Sequence, residues 1–211
     1  SDRVEICNGH TVILTTNPTV RSVRIVSGGT LQDTGDANTL TLRGVTDKSN
    51  SFTNAGTFTA GSGTVIIEGE SGATNLSQVS NSSSHVFNNV TVQRSSGAAG
   101  YGVDFFDNTN RAKIDGVFTI GTFGYVAQEG TNGDGRPFYG TSSTLRYNSG
   151  HSESDPFGSN EEWDQQGGWT VGASPAAPQN VEISSNDWVS LNAHQWERRV
   201  GGNLTIAAGS G

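Results

Sequence analysis

The 211-residue chain is poor in the residues that disulfides, metal cages and basic binding surfaces require. Its single cysteine, Cys7, excludes an internal disulfide and a cysteine metal cage. Only Lys48 and Lys113 are lysines, and the formal net charge is -8. Because a phosphate backbone or an anionic membrane surface attracts a basic stripe, we expect neither nucleic acid nor such a surface as a partner.

Long hydrophobic runs and amphipathic helices are also missing. No stretch approaches about 18 consecutive apolar residues, so we expect no membrane-spanning helix. Gly or Pro interrupts every window with apolar residues at helical spacing, so we expect few helices. The hydrophobic fraction is 32%, and 29 glycines accompany abundant Ser, Thr and Asn. This composition is typical of turn-rich all-β chains, and together with the acidity it indicates an extracellular bacterial surface protein.

What the sequence does contain is a series of short strands. Apolar–polar–apolar triplets such as Val23-Arg24-Ile25 and Leu145-Arg146-Tyr147 recur between clusters of Gly, Asn, Asp and Ser. A period of two directs the outer residues of each triplet inward and the middle one outward. Such strands fit an antiparallel β-sandwich or a β-solenoid whose coils each contribute two or three short parallel strands.

Internal repeats favour the solenoid. The segment VEICNGHTVIL (4–14) aligns without gaps with VEISSNDWVSL (181–191). A second pair is FTAGSGTVIIEG (58–69) and FYGTSSTLRYNSG (138–150). Because stacked coils can each carry the same local pattern, we predict a parallel β-solenoid in which a second copy of the N-terminal repeat begins near residue 181. Inward-facing Phe52, Phe58, Val65 and Ile67 are expected to be rungs of its core.

Several segments together resemble the repetitive, secreted, adhesin-like surface proteins of Bacteroidetes-type bacteria. The resemblance is carried by NGHTVIL, VRIVSGGTL, LTLRG, FTNAGTFTAGSGTVIIEG and VFNNVTV. It implies a right-handed parallel β-helix, export to the cell surface and a structural or adhesive role without catalytic residues. Residues 1–211 would then form a single domain, with loop inserts at about 97–116 and 151–168 that depart from the family pattern.

The ends of such a solenoid need a covering. The sequence stops at LTIAAGSG, partway through the repeat that begins at Val181, and no amphipathic capping helix is visible at either end. A solenoid end presents unpaired backbone groups and an open apolar core. We therefore expect further repeats of the same polypeptide, or neighbouring copies, to stack on the ends; stacked copies would form a fibre.

The segment 151–169 is rich in carboxylates. When carboxylates converge with backbone carbonyl groups they bind Ca²⁺, although this spacing does not match an EF-hand loop. The alternatives are a solvated acidic loop and a carboxylate pair for glycoside hydrolysis, for which a Gly/Ser-rich loop is a poor mount. The candidate ligands for a weak Ca²⁺ site are Glu153, Asp155, Glu161, Glu162 and Asp164.

The four tryptophans are candidates for packing or ligand binding. Trp188 takes the place of Thr11 in the repeat, and alternation with Val189 directs it outward. An outward tryptophan can stack on a sugar ring of a surface glycan, on a long loop or on a neighbouring chain. Trp196 and Trp169 are similar candidates, whereas Trp163 is expected to pack in the core.

Taken together, the sequence predicts a non-enzymatic extracellular structural or adhesive module, and its motifs contain no evident catalytic group. The first alternative is a carbohydrate-binding module that uses Trp188, Trp196 and the acidic loop. The second is a polysaccharide-active β-helix enzyme, in which arginines on one sheet face would act with a carboxylate. The arginines available for such a face are Arg21, Arg24, Arg43, Arg94 and Arg146.

Overall fold

The fold was determined from a computed structural model, which describes a large part of the chain in fourteen ranges. These ranges are 3–35, 37–43, 50–69, 77–81, 86–94, 101–105, 112–126, 136–150, 157–158, 161–163, 170–172, 174–184, 187–190 and 198–208. They contain short β-strands of two to six residues and one 3₁₀ helix, Glu161–Trp163. No helix in these ranges is long and apolar enough to cross a membrane.

The strands follow one another at short intervals along the chain. The first part of the chain forms β1 (Arg3–Ile6), β2 (Thr11–Leu14), β3 (Thr19–Val20), β4 (Ser22–Ile25), β5 (Thr30–Asp33), β6 (Thr39–Arg43), β7 (Asn50–Asn54), β8 (Thr57–Thr59), β9 (Thr64–Gly69), β10 (Ser77–Asn81) and β11 (Val86–Phe87). The second part forms β12 (Asn89–Arg94), β13 (Tyr101–Asp104), β14 (Lys113–Ile114), β15 (Val117–Ile120), β16 (Gly124–Val126), β17 (Phe138–Tyr139), β18 (Thr144–Tyr147), β19 (Phe157–Gly158), β20 (Asn180–Ile183), β21 (Val189–Ser190) and β22 (Leu204–Ile206).

Strands that are neighbours in a sheet are distant in sequence. The eight-stranded sheet has the order β22-β20-β18-β15-β12-β9-β6-β3, and the six-stranded sheet has the order β1-β4-β7-β10-β13-β16. Two three-stranded sheets, β2-β5-β8 and β11-β14-β17, and the pair β19-β21 complete the set. Each pairing is parallel. The chain is therefore a parallel β-solenoid, and the antiparallel sandwich is wrong; the right-handed sense stays a prediction.

The register of the eight-stranded sheet aligns the inward side chains of successive coils in two columns. The first contains Leu40, Val65, Val90, Phe118, Leu145 and Val181, and the second contains Leu42, Ile67, Val92, Ile120, Tyr147 and Ile183. All of them are buried. Because burial of one such side chain contributes about 1.5–3 kcal/mol, these columns are a principal source of stability. The inward orientation predicted for the triplets is confirmed.

Aromatic rings fill the space between the sheets. Phe52 is fully buried, and its ring centroid lies 5.1 Å from that of Phe58 and 5.3 Å from that of Phe87. The rings of Phe58 and Phe87 are also 5.3 Å apart. Edge-to-face and tilted contacts at these distances add to the hydrophobic stabilisation. Phe52 and Phe58 are therefore core rungs, as predicted.

Asparagine side chains join consecutive coils at the entrance to the eight-stranded sheet. In three places an asparagine Oδ1 accepts a hydrogen bond from a backbone N–H of the next coil. These bonds run from Thr39 to Asn17 (2.8 Å), from Val117 to Asn89 (2.9 Å) and from Asn203 to Asn180 (3.0 Å). The side chain thus satisfies a backbone donor at a corner where the strand ladder begins.

The two sequence repeats have different structural meanings. Val65 and Leu145 lie in one column, so 58–69 and 138–150 both contain the corner that leads into the eight-stranded sheet. By contrast, β1 belongs to the six-stranded sheet and β20 to the eight-stranded sheet. The copy near residue 181 therefore repeats a corner and its flanking strands at a different position in the coil.

The two stretches expected to be inserts carry structure of their own. Within 97–116, β13 is a regular rung of the six-stranded sheet and β14 a regular rung of a three-stranded sheet. These short strands were not evident in the sequence, because glycines and polar residues surround them. Within 151–168 the structure describes β19 and the 3₁₀ helix.

Both ends of the described solenoid expose apolar side chains. At one end, Val12 is 38% exposed and Ile13 is 47% exposed. At the other end, Leu204 is 49% exposed and Ile206 is 66% exposed. Leu204 and Ile206 pair in register with the buried Val181 and Ile183, so they extend the two core columns into solvent.

Candidate functional site

Trp188 presents its indole to solvent at the start of β21. Trp188 is 51% exposed, whereas the next residue, Val189, packs against the core. The outward direction predicted from the alternation is therefore confirmed. An exposed indole next to a strand offers a flat apolar surface with one N–H donor.

The backbone before Trp188 is fixed by Asp187. Its carboxylate accepts hydrogen bonds from Ser149 N (2.8 Å), Ser149 Oγ (2.8 Å) and Gly150 N (2.6 Å). Bonds to an ionised acceptor are stronger than bonds between neutral groups. The indole is thus carried by a segment that is anchored to the preceding coil. Sequence reasoning missed this contact, because Asp187 stands in an ordinary turn motif, SSND.

The other tryptophans divide between the core and the undescribed part of the chain. Trp163 is 2% exposed, and its Nε1 donates to the backbone oxygen of Arg199 at 3.1 Å. Its predicted packing role is confirmed. Trp169 and Trp196 lie outside the described residues, so their predicted ligand-binding role stays a prediction.

Glu162 lies in the core, although the sequence suggested a solvated loop or a Ca²⁺ ligand. The residue is completely buried. Its Oε1 accepts a hydrogen bond from Tyr147 OH at 3.0 Å, and its backbone oxygen accepts one from Tyr139 OH at 2.8 Å. Because a buried carboxylate requires donors, the two tyrosines hold the 3₁₀ helix against the core. Burial, assisted by the charge of Glu162, raises the pKa of Tyr139 well above its ordinary value.

The remaining predicted Ca²⁺ ligands are not brought together by the described part of the chain. Glu161 begins the 3₁₀ helix, and Glu153, Asp155 and Asp164 lie outside the described residues. Across the ranges that are described, no group of three or more His, Cys, Asp or Glu side chains could hold a metal ion. With Glu162 committed to the core, the Ca²⁺ prediction depends on the other four carboxylates.

Three of the five arginines that could line a catalytic face are paired with glutamates of neighbouring coils. Arg24 lies on the six-stranded sheet, whereas Arg43 and Arg146 lie on the eight-stranded sheet. The three ion pairs are Arg24–Glu5 (3.2 Å), Arg43–Glu68 (2.6 Å) and Arg146–Glu182 (2.9 Å). Each pair joins residues that are in register on adjacent strands. These three arginines therefore link coils and are divided between two sheets, with Arg43 and Arg146 on the same one.

Comparison with known proteins adds no relative: no family model, curated protein or solved structure matches the chain. The parallel ladders alone define its class, a β-solenoid.

Proposed function

We propose that this chain is an extracellular, non-enzymatic structural or adhesive module of a bacterial surface protein. The acidic, lysine-poor composition supports an exported protein. The continuous parallel register supports a scaffold, because each coil is held by its neighbours along one axis. Outward-facing polar residues on the sheets are compatible with water on all lateral sides.

The observation that carries the scaffold role is the exposure of the last rung. Ile206 is 66% exposed, yet it pairs in register with Ile183, which is 8% exposed. An apolar column that continues into solvent favours one more rung with the same inward pattern. That rung is supplied by a further repeat of the same polypeptide or by a neighbouring copy. In the second case the copies stack end to end into a fibre.

Stacking of copies is tested with the 211-residue chain itself. We expect sedimentation velocity to show mass that increases with concentration, and electron microscopy to show end-to-end particles. Ile206→Asp should abolish both, whereas Thr205→Asp, on the same strand with its side chain directed outward, should not. A monomer at all concentrations would contradict stacking between copies. A further repeat of the same polypeptide would then be the remaining source of the next rung. Surface location is tested by protease treatment of intact cells, which should digest the protein.

A second candidate function, carbohydrate binding, is favoured by the exposed and anchored Trp188. An indole held on a fixed backbone can stack on the apolar face of a sugar ring. A glycan array should show binding that is lost in Trp188→Ala and kept in Thr11→Ala, the substitution at the matching repeat position. If the array shows no binding to any glycan, the scaffold role stands alone.

A further inference from the structure

One side of the solenoid contains a break in its strand ladder. The six strands on this side form two separate three-stranded sheets, β2-β5-β8 and β11-β14-β17. The strands β8 and β11 belong to consecutive coils but do not pair, whereas β9 and β12 of the same coils pair over six residues. A strand at the end of a ladder leaves backbone polar groups on its outer edge without a strand partner. The break is therefore local and lies between Thr57–Thr59 and Val86–Phe87.

The break is too narrow to accept another strand. The rings of Phe58 and Phe87 touch across it at 5.3 Å. At its edge, Asn89 N donates to Gly63 O at 3.2 Å. An inserted strand would need about twice the normal spacing of 4.7–4.9 Å between its neighbours. A peptide bound by strand addition is thus excluded, and a ligand must lie on the outer surface of the break.

That surface is a shallow, open depression. Two adjoining cavities, of about 530 Å³ and 360 Å³, share Thr59, Gly61 and Asn88. The first extends toward Gln32 and Asp33, and the second extends toward Val86 and Asp115. Together they form a groove, named here the break groove, with volumes in the range typical of small-ligand sites.

The walls of the break groove combine hydrogen-bonding groups with a small apolar surface. The amides of Gln32 and Asn88 can both donate and accept, and Thr59 contributes a hydroxyl group. Val86, 40% exposed, provides the apolar surface in the second cavity. Among the residues that the structure describes, no arginine or lysine lines either cavity, and the nearby Lys113 is ion-paired with Asp115 at 2.7 Å. Anionic ligands such as phosphates are therefore disfavoured.

Asp33 borders the first cavity, but its side chain is on the inward side of β5, like that of Leu31. The residue is only 4% exposed, and its Oδ1 accepts a hydrogen bond from Asn38 Nδ2 at 3.0 Å. Its Oδ2 has no hydrogen-bond partner in the part of the chain that the structure describes. This oxygen is itself shielded from solvent, so a ligand in the groove does not reach it, and the polar contacts must come from the exposed wall residues.

We propose that the break groove binds a neutral oligosaccharide. Sugar hydroxyl groups match the mixed amide, hydroxyl and carboxylate walls, and the C–H face of a ring matches Val86. The site is separate from Trp188, and it depends neither on the stacking of copies nor on binding at that indole.

The test uses arrays of neutral oligosaccharides derived from β-glucans, xylans and mannans, with polygalacturonate and heparin as acidic probes. A neutral glycan that binds is then titrated calorimetrically against three variants of the whole chain. Thr59→Trp fills the break groove, and Thr57→Trp adds the same bulk two residues away on the same strand, outside both cavities. Asn88→Ala removes an amide without adding volume.

We expect Thr59→Trp to weaken binding at least tenfold, Asn88→Ala to weaken it severalfold, and Thr57→Trp and Trp188→Ala to leave it unchanged. Thr57→Trp and Thr59→Trp must have the same thermal unfolding temperature and circular dichroism spectrum. If they differ, the effect of Asn88→Ala on binding is the test of the groove. The proposal is overturned if no neutral glycan binds, if only acidic probes bind, or if EDTA abolishes binding. It is equally overturned if Trp188→Ala, and not Asn88→Ala, removes it.

Discussion

The carboxylate of Asp187 binds Ser149 at two atoms, the backbone nitrogen and the hydroxyl oxygen, at 2.8 Å each. The two residues stand 38 positions apart and belong to consecutive coils. This relationship shows how the corners are held, since a side chain of one coil satisfies backbone donors of the coil before it. Asn17, Asn89 and Asn180 act in the opposite direction, since each accepts a hydrogen bond from a backbone N–H of the coil after it.

Loss of the Asp187 carboxylate should destabilise the corner. We expect Asp187→Ala to lower the free energy of unfolding by about 1.5–3 kcal/mol, because several hydrogen bonds to a charged acceptor disappear. Ser149→Ala removes only the hydroxyl donor and should cost about 0.5–1.5 kcal/mol. Urea denaturation measures both values. Equal effects of the two substitutions would show that the backbone donors of Ser149 and Gly150 contribute little.

The contact between Tyr147 and Glu162 should be worth more than an exposed hydrogen bond. Tyr147→Phe leaves a fully buried carboxylate with one donor fewer, and we expect a cost of about 1.5–3 kcal/mol. Tyr125→Phe, at a half-buried position, is the matched control and should cost less. A double-mutant cycle with Glu162→Gln should give a coupling energy above about 0.5 kcal/mol. Strict additivity of the two substitutions would contradict a direct contact.

The buried Tyr139 should make the fold sensitive to alkali. Its pKa is raised in the folded state relative to the ordinary value of 10.0. The contribution of Tyr139 to the free energy of unfolding is therefore fully present below about pH 10. It is lost as the pH rises toward the folded-state pKa. We expect the free energy of unfolding to fall above pH 10, and to fall less steeply in Tyr139→Phe. If the free energy of unfolding falls equally with pH in the original chain and in Tyr139→Phe, the alkali sensitivity does not come from Tyr139.

The ion pairs between coils should differ in strength according to burial. The Glu68 side chain is 9% exposed, whereas that of Glu5 is 51% exposed. We expect Glu68→Gln to cost about 1–2 kcal/mol, because Glu68 accepts charge-assisted bonds from Arg43 at a site shielded from water. Glu5→Gln should cost less than about 0.5 kcal/mol. Chemical denaturation at low and high salt measures both costs. An equal loss of stability in the two variants would show that burial does not determine the strength of these ion pairs.

Two glycines at corners should respond differently to alanine. A Cβ at Gly124 would overlap the backbone carbonyl group of Val92 in the adjacent coil, so we expect a cost of about 2–3 kcal/mol. Gly9 faces open space, and its positive φ of 77° alone should cost about 1 kcal/mol. Thermal unfolding of the two variants gives the order. A milder effect at Gly124 would mean that the coils can separate locally without loss of stability.

The sequence predicted the fold because its triplets have a simple physical origin. A short strand with alternating apolar residues can only bury one side, and repeated triplets such as that ending at Tyr147 impose the same burial on each coil. The corner repeats were visible for the same reason, since glycine and asparagine recur wherever the backbone turns. Strands β13 and β14 were missed because each contains a single aliphatic residue, so neither shows the triplet pattern.

The candidate functional site was less predictable than the fold, because its contacts are formed between coils. Nothing local distinguishes Glu162 from Glu161, and only the approach of Tyr139 and Tyr147 from other coils shows that Glu162 is buried. The break groove also has no sequence signal. It depends on two consecutive strands that fail to pair, which a single strand cannot indicate. The outward direction of Trp188 was predicted correctly because alternation with Val189 was sufficient, while its role in ligand binding stays a prediction.

The ion pair between Arg146 and Glu182 joins residues 36 positions apart, yet the pair between Arg43 and Glu68 spans only 25. Both are one rung apart along the axis, which corresponds to about 4.8 Å. Corner length can therefore change while the axial step stays fixed. Groups displayed at the corners are therefore spaced at a constant axial interval per coil. This interval does not depend on the number of residues between them.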